Sequence, residues 1–479
     1  VKQRQGRQMS FWNRRRPWVA AAAQRADGAS QLKRSLSWPH LVALGVGGIV
    51  GTGIYTLTGE AAALAGPAAM LSFVIAGIVC ACAALAYAEM STMIPVAGSA
   101  YTYTYTVIGE GWAWIVGWSL ILEYTLVCSV VAVGWGGYAS GLIRQAGWPV
   151  PEVLLTAPAN GGLVDLPAVL IALAVAGLLT LGTRESARIN LVLVLVKLAA
   201  LAAFVALCLP AFDVAHFTPF MPHGFAAHEV DGVKVGVIAA ASIIFFAFYG
   251  FDTISTASEE AENPGRDLTI GIVGSMLLCT LIYMAVAASA IGAQPVDTFA
   301  GSGEPLAQIL RALGHPGAAV AIGAAAVIAL PTVIMAFMYG QSRVFFAMAR
   351  DGLLPRRLAA VHATRGTPVA VTVLTGVIAA TLAGFMPLAR IVALANAGTL
   401  CAFIATAAAM AILRLREPQR PRRFRTPLWP LVALLAIAGC LYLFASLPGE
   451  TIRFFFVWNA LGLAVYLLYA RHLSRLAPI

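Results

Sequence analysis

Apolar residues run along this chain in long blocks separated by short polar segments. A helix that crosses lipid needs roughly 20 mostly apolar residues, and twelve such blocks can be placed. They cover residues 37–57, 67–93, 112–142, 163–181, 190–209, 235–258, 268–291, 317–343, 367–385, 390–412, 428–447 and 452–470. The pattern predicts an all-α integral membrane protein with twelve transmembrane helices.

Composition agrees: 60% of residues are hydrophobic and 11% charged, against about a quarter charged in soluble domains. The net charge of +10 would suggest nucleic acid in a soluble protein. Here no nucleic-acid partner is expected, because the placement of the basic residues matters more than their sum. With the N-terminus inside, the cytoplasm receives the nine basic residues from Lys2 to Arg34, Arg184, Arg188, Arg266, the group from Arg343 to Arg365, the cluster from Arg414 to Arg425, Arg471 and Arg475. Arg144, Lys234, Arg311, Arg390 and Arg453 fall outside, and Lys197 is buried. The positive-inside rule therefore puts both termini in the cytoplasm of a cell inner membrane. The seven cysteines lie mostly in apolar blocks without metal-ligand spacing, and read as small hydrophobes. No metal and no cofactor is expected.

Three regions follow: a basic N-terminal arm (1–35), a ten-helix core (36–413), and a basic loop with two further spans and a short tail (414–479). The arm has no signal-peptide core, and Met9 is the expected start. It serves as a topology anchor, with contact to lipid headgroups as the alternative. Loops are expected to be short apart from 210–234 and 350–367. The first of these holds His216, His223 and His228 in no defined metal spacing, and reads as a solvated cap.

The first span contains Gly45, Gly47, Gly48, Gly51 and Gly53 within nine residues. Each glycine costs about 1 kcal/mol against alanine inside a helix. Non-helical backbone survives in a bilayer only against protein or a watery cavity. A helix break is predicted here, with close small-residue packing as the alternative. The sixth span repeats the feature, placing Gly250 and Asp252 after Phe246, Phe248 and Tyr249. Interrupted spans at corresponding places in two halves point to a transporter site. A broken helix exposes N–H groups on one side of the gap and C=O groups on the other. A carboxylate can then rest on the amides of Gly51, Thr52 and Gly53, and an ammonium on the carbonyls of Ile49, Phe246 and Tyr249. An aromatic near the second break can also act as a gate.

Charged groups at bilayer depth are costly and usually functional. Lys197 lies about 14 Å along the helix from Arg188, near mid-membrane, where it can gain and lose a proton in place of a coupling sodium ion; a permanently paired structural lysine is the alternative. Glu123 can contact substrate, line the pathway, hold a proton or serve structure. Asp252 can contact substrate or steady the unwound segment. Glu89, Glu259, Glu260 and Arg343 lie near the cytoplasmic ends, where ion pairs or gating contacts are expected. There is no phosphate loop, zinc-protease motif or nucleophile elbow, so catalysis has no support.

These pieces together resemble bacterial members of the cationic amino acid transporter family, within the amino acid/polyamine/organocation superfamily. The resemblance covers roughly residues 33–475. It rests on the run from Gly45 to Tyr55, Tyr87-Ala88-Glu89-Met90, Ile94 to Tyr101, Phe246 to Asp252 with Glu259 to Pro264, and Ala347 to Gly352. It implies a five-plus-five inverted-repeat core with broken helices one and six, two accessory spans, and alternating access around a midplane site. It also implies that the Gly51–Gly53 amides meet a carboxylate, that Ile49, Phe246 and Tyr249 meet an amine, and that Lys197 replaces sodium in a proton-coupled relative. Glu123 and Asp252 fall where similar transporters carry acids. Tyr55 stands where phenylalanine is usual. The expected function is proton-coupled amino acid import. An exchanger of the same fold, and a membrane sensor that binds without transport, are the alternatives.

Overall fold

The computed structural model describes Trp12 and residues 14–15, 36–96, 98–180, 187–256, 261–355, 358 and 369–475; for 187–190 and 256 it describes the backbone alone. Glu259, Glu260 and Arg184 lie outside the described residues, as do most of the arm and of the 350–367 loop.

Span one is built from α1 (Trp38–Ile49), α2 (Thr52–Tyr55) and α3 (Leu57–Ala65), and spans two and three from α4 (Ala69–Met93) and α6 (Glu110–Gln145), with α5 (Ser99–Val107) between them. Spans four and five are α7 (Leu166–Thr180) and α8 (Ala187–Cys208). Span six is α9 (Val237–Ile244), a 3-10 turn (Phe245–Phe248) and α10 (Phe251–Thr256); span seven is α11 (Pro264–Ala293). After the loop helix α12 (Pro305–Ala312), span eight is α13 (Pro316–Ala329) followed by α14 (Pro331–Arg350). Spans nine to eleven are α15 (Val369–Phe385), α16 (Leu388–Arg416) and α17 (Trp429–Ser446). Span twelve is α18 (Gly449–Val465), running through a π-turn into α19 (Arg471–Leu473). Pro39, Pro264, Pro305, Pro316, Pro331 and Pro430 sit at the first or second position of their helices, where the missing N–H costs nothing.

Two expectations need correction. Span one does not end at 57 but continues to Ala65, because the break restarts a helix that still has to cross the remaining membrane. The loops at 94–111, 143–165 and 293–315 are also long and structured. They hold α5, α12 and a small hairpin, β1 (Leu155–Thr156) with β2 (Val164–Asp165). The expected cap carries a second hairpin, β3 (His228–Val230) with β4 (Val233–Val235).

The packing repeats. Spans one against seven match six against two, three against ten match eight against five, and three against nine match eight against four. The pairs two–seven, three–eight and four–nine map onto themselves when each span is exchanged for the one five places away. Among the described residues, spans one to ten thus form an inverted repeat of five plus five. Span eleven packs on spans ten and two, and span twelve on ten and three.

The described basic clusters gather on one face. There the carboxylate of Glu89, 1% exposed, accepts from Arg414 Nε and Nη2 (both 2.7 Å), Arg422 Nε (3.1 Å) and the Thr426 amide (2.8 Å). Glu110 fastens both chain ends at the same face. Its amide donates to the Arg14 carbonyl (2.8 Å), and its carboxylate accepts from Tyr105 (2.9 Å), Tyr466 (2.8 Å) and Ser474 (2.5 Å). Trp12 packs on Trp112, ring centroids 5.7 Å apart, and the Arg475 amide donates to the Asp351 carbonyl. Arg343 stacks over Tyr339 at 4.1 Å.

Candidate functional site

Both glycine-bearing spans are interrupted where the sequence predicts. In span one the helix stops at Ile49, and Val50 (φ −73°, ψ 89°) and Gly51 (φ −142°, ψ −148°) leave helical geometry before Thr52 restarts it. In span six Tyr249 is extended (φ −67°, ψ 160°) and Gly250 has φ 114°, a conformation that favours glycine. The two breaks touch. A Cβ added to Gly250 would lie 2.5 Å from the Gly48 carbonyl carbon and 2.7 Å from the Ile49 nitrogen. Close packing also holds: a Cβ on Gly45 would meet Ser275 Oγ at 2.5 Å. The glycine run therefore serves both purposes.

Ending a helix leaves carbonyls without intrahelical donors. In span one, other spans supply the donors. Lys197 Nζ donates to the Gly47 carbonyl (2.9 Å) and to Thr332 Oγ1 (3.2 Å), while the Tyr283 hydroxyl donates to the Ile49 carbonyl (2.6 Å). Lys197 is fully buried and belongs to a stripe with Val194, Leu201, Phe204 and Cys208. That helical spacing turns this face of α8 toward the core, although most of the span faces outward. The negative end of the first half-helix dipole faces the ammonium, which favours the charge there.

Span six uses its own residues together with Tyr124 of span three and Asn396 of span ten, whose Nδ2 donates to the Ser242 (2.6 Å) and Ile243 (3.3 Å) carbonyls. The Tyr249 amide donates to the Phe246 carbonyl (3.2 Å), the Thr253 amide to the Gly250 carbonyl (3.1 Å), and the Gly250 amide to Asp252 Oδ1 (3.3 Å). The Tyr124 hydroxyl donates to Asp252 Oδ2 (2.9 Å), and the Tyr249 hydroxyl donates to Asn396 Oδ1.

Between the breaks lies a cavity of about 220 Å³, counted as all space between atoms. Gly48, Ile49, Gly51, Thr52, Gly53, Val127, Val131, Phe246, Tyr249, Val333 and Phe337 line it. All are buried. Six of the predicted binding residues therefore meet: Ile49, Gly51, Thr52, Gly53, Phe246 and Tyr249. Gly250, Asp252, Glu123 and Lys197 are not part of the lining. Gly250 packs behind Gly48, Asp252 holds the second break, and Lys197 holds the first. Glu123 sits one turn from Val127; its Oε2 is buried without a hydrogen-bond partner, and Gly398 lies against its Cβ. Thr52 Oγ1 is likewise buried and unpartnered.

Sequence reasoning missed Tyr283, Thr332, Asn396 and the apolar wall from spans three and eight. Asn396 alone left a signal, as a lone amide within an apolar span.

An amino acid permease family model matches residues 36–469. The chain is 42% identical over 454 residues to the branched-chain amino acid permease BcaP of Bacillus subtilis (strain 168), covering 94% of this chain and 96% of that protein. It is 39% identical to the methylthioribose transporter of the same organism, covering 98% and 100%. It is 38% identical to cationic amino acid transporter 3, mitochondrial, of Arabidopsis thaliana, covering 81% of this chain and 63% of that one. With paired helix breaks beside a buried pocket and a match across nearly the whole length, this multi-pass membrane protein belongs to the amino acid permease family.

Proposed function

We propose that the protein is a secondary active importer that carries an amino acid by alternating access and couples it to protons through Lys197. The solute carboxylate rests on the amides of Gly51, Thr52 and Gly53, with the Thr52 hydroxyl as a further donor. Its ammonium faces the carbonyls of Ile49, Phe246 and Tyr249. Tyr283 already occupies one lone pair of the Ile49 carbonyl, which leaves the second available. The protein sits in the inner membrane with its basic face, and both termini, in the cytoplasm.

The observation that carries the coupling is the Lys197 ammonium, 2.9 Å from the Gly47 carbonyl at the end of the first half-helix. A charge-assisted bond there is roughly twice as strong as a neutral one. Loss of the proton loosens the end of the helix whose other half binds the solute, so solute and proton act on one element. Uptake into proteoliposomes under an imposed inward proton gradient tests this. The native protein is expected to accumulate solute, and Lys197→Ala to retain solute binding while losing gradient-driven accumulation. Full accumulation by the variant would remove the coupling role and favour the exchanger.

A further inference from the structure

We propose that Asn396 of span ten is a positioning residue for the solute's amino group: without touching the solute, it sets the turn of span six so that the Phe246 and Tyr249 carbonyls face the ammonium. This rests on the reading that those carbonyls hold the ammonium. A buried side-chain amide is costly unless its polar atoms are paired, and Asn396, fully buried, directs its hydrogen bonds to one neighbour. Its Nδ2 donates to the Ser242 and Ile243 carbonyls, and its Oδ1 accepts from the Tyr249 hydroxyl. The two carbonyls decide which end of the amide carries the hydrogens, so the oxygen is the end that faces Tyr249.

These partners straddle the 3-10 turn Phe245–Phe248. On the near side, α9 ends at Ile244, and the last carbonyls of an α-helix have no donor within it. Asn396 serves two of them. On the far side it fixes the Tyr249 ring, where the backbone is extended just before Gly250. Phe246 lies between the two holds, and its carbonyl accepts from the Tyr249 amide, so the two carbonyls move together and one side chain aims both.

Span ten gives this clamp a firm base. Phe403 lies two turns along α16 from Asn396, on the same face, and its ring packs on Phe245, Tyr249 and Phe251 with centroids 5.6, 6.4 and 5.1 Å apart. Gly398, on the opposite face, lets span three close up: an added Cβ would stand 3.0 Å from the Ser119 carbonyl oxygen. Span ten is thus wedged between span three and the turn that it clamps. Asn396 is not part of the cavity lining, so its influence reaches a solute only through span six.

Counterflow in proteoliposomes tests the assignment. Each common amino acid is used in turn as the loaded and labelled solute, and the one that the native protein exchanges fastest becomes the probe. The unlabelled competitors are that amino acid and its α-deaminated acid, which keeps the carboxylate and side chain and lacks the amino group. The native protein is expected to prefer the amino acid by at least about tenfold, because hydrogen bonds to charged groups are the stronger ones. Asn396→Leu, similar in size and without polar atoms, is expected to weaken the amino acid by about tenfold and the deaminated acid by less than about twofold. Where a variant no longer exchanges, the same comparison is read from the rise in melting temperature with each compound. Equal weakening of both compounds, or an unchanged preference, would overturn the positioning role. Tyr249→Phe, which removes the hydroxyl bond alone, is the second variant if the first fails to fold. It is expected to shrink the same preference a few-fold, and an unchanged preference there would also count against the clamp. A native protein that exchanges an amino acid yet takes the deaminated acid equally well would instead overturn the ammonium assignment beneath it, and absence of exchange with every amino acid would overturn transport itself.

Discussion

The two breaks meet at the same depth, yet they are held in different ways. Span one is tied from outside: Lys197 from span five, Thr332 from span eight and Tyr283 from span seven converge on its last carbonyls or on each other. Span six combines its own caps, Asp252 and Thr253 on either side of a positive-φ glycine, with neutral outside ties from Tyr124 and from Asn396, whose amide donates to the Ser242 and Ile243 carbonyls. A break tied by a charged side chain can be loosened by removing that charge, whereas one held by its own caps and by neutral donors from outside offers no such handle. On the coupling proposed above, protonation therefore acts on span one, with span six as its uncharged counterpart.

Substitutions at four positions would sharpen or break this contrast. The largest effect is expected from Gly250→Ala. It combines an unfavourable φ, roughly 1–2 kcal/mol for a residue with a Cβ, with a collision against the Gly48 backbone. Uptake should fall to background and the melting temperature by several degrees, and near-native uptake would mean the breaks need not touch. Lys197→Ala comes next, with at least about a tenfold loss of gradient-driven accumulation, since a buried carbonyl loses a charged donor. Asp252→Ala should cost several-fold in uptake, while Asp252→Asn, which keeps an acceptor for the Gly250 amide, should stay close to native. Equal losses in both would show that the charge of Asp252 matters beyond its cap on the Gly250 amide. The smallest effect belongs to Tyr283→Phe, which removes one neutral hydrogen bond worth about 1 kcal/mol. Its melting temperature should drop only slightly, while solute affinity changes a few-fold because a second lone pair on Ile49 becomes available.

Span count and both breaks were legible because they are written locally, while the inverted repeat came from the family resemblance. Five glycines crowd the first break, and a glycine two residues before an aspartate marks the second. Lys197 was legible as a buried cation at mid-membrane, but its partner was not. Nothing in the sequence around Gly47 names Thr332, and nothing around Ile49 names Tyr283, because these contacts exist only once spans five, seven and eight pack on span one. The helix α5 was missed for a related reason. Its alternating tyrosines and threonines carry no helical period, and burial of every side chain from Ser99 to Val107 overrides that weak local preference. Glu123 and Asp252 were correctly singled out as buried acids, yet depth alone could not say that both would lie outside the lining.

Glu110 ties the Arg14 carbonyl and the Ser474 hydroxyl to the first turn of α6. Spectroscopic labels placed at the exposed positions 15 and 475, which leave the Glu110 contacts intact, would ride on that single anchor. Their separation would hold steady through the cycle, giving an internal ruler against which a third label beyond Thr52 could report displacement of the broken helix.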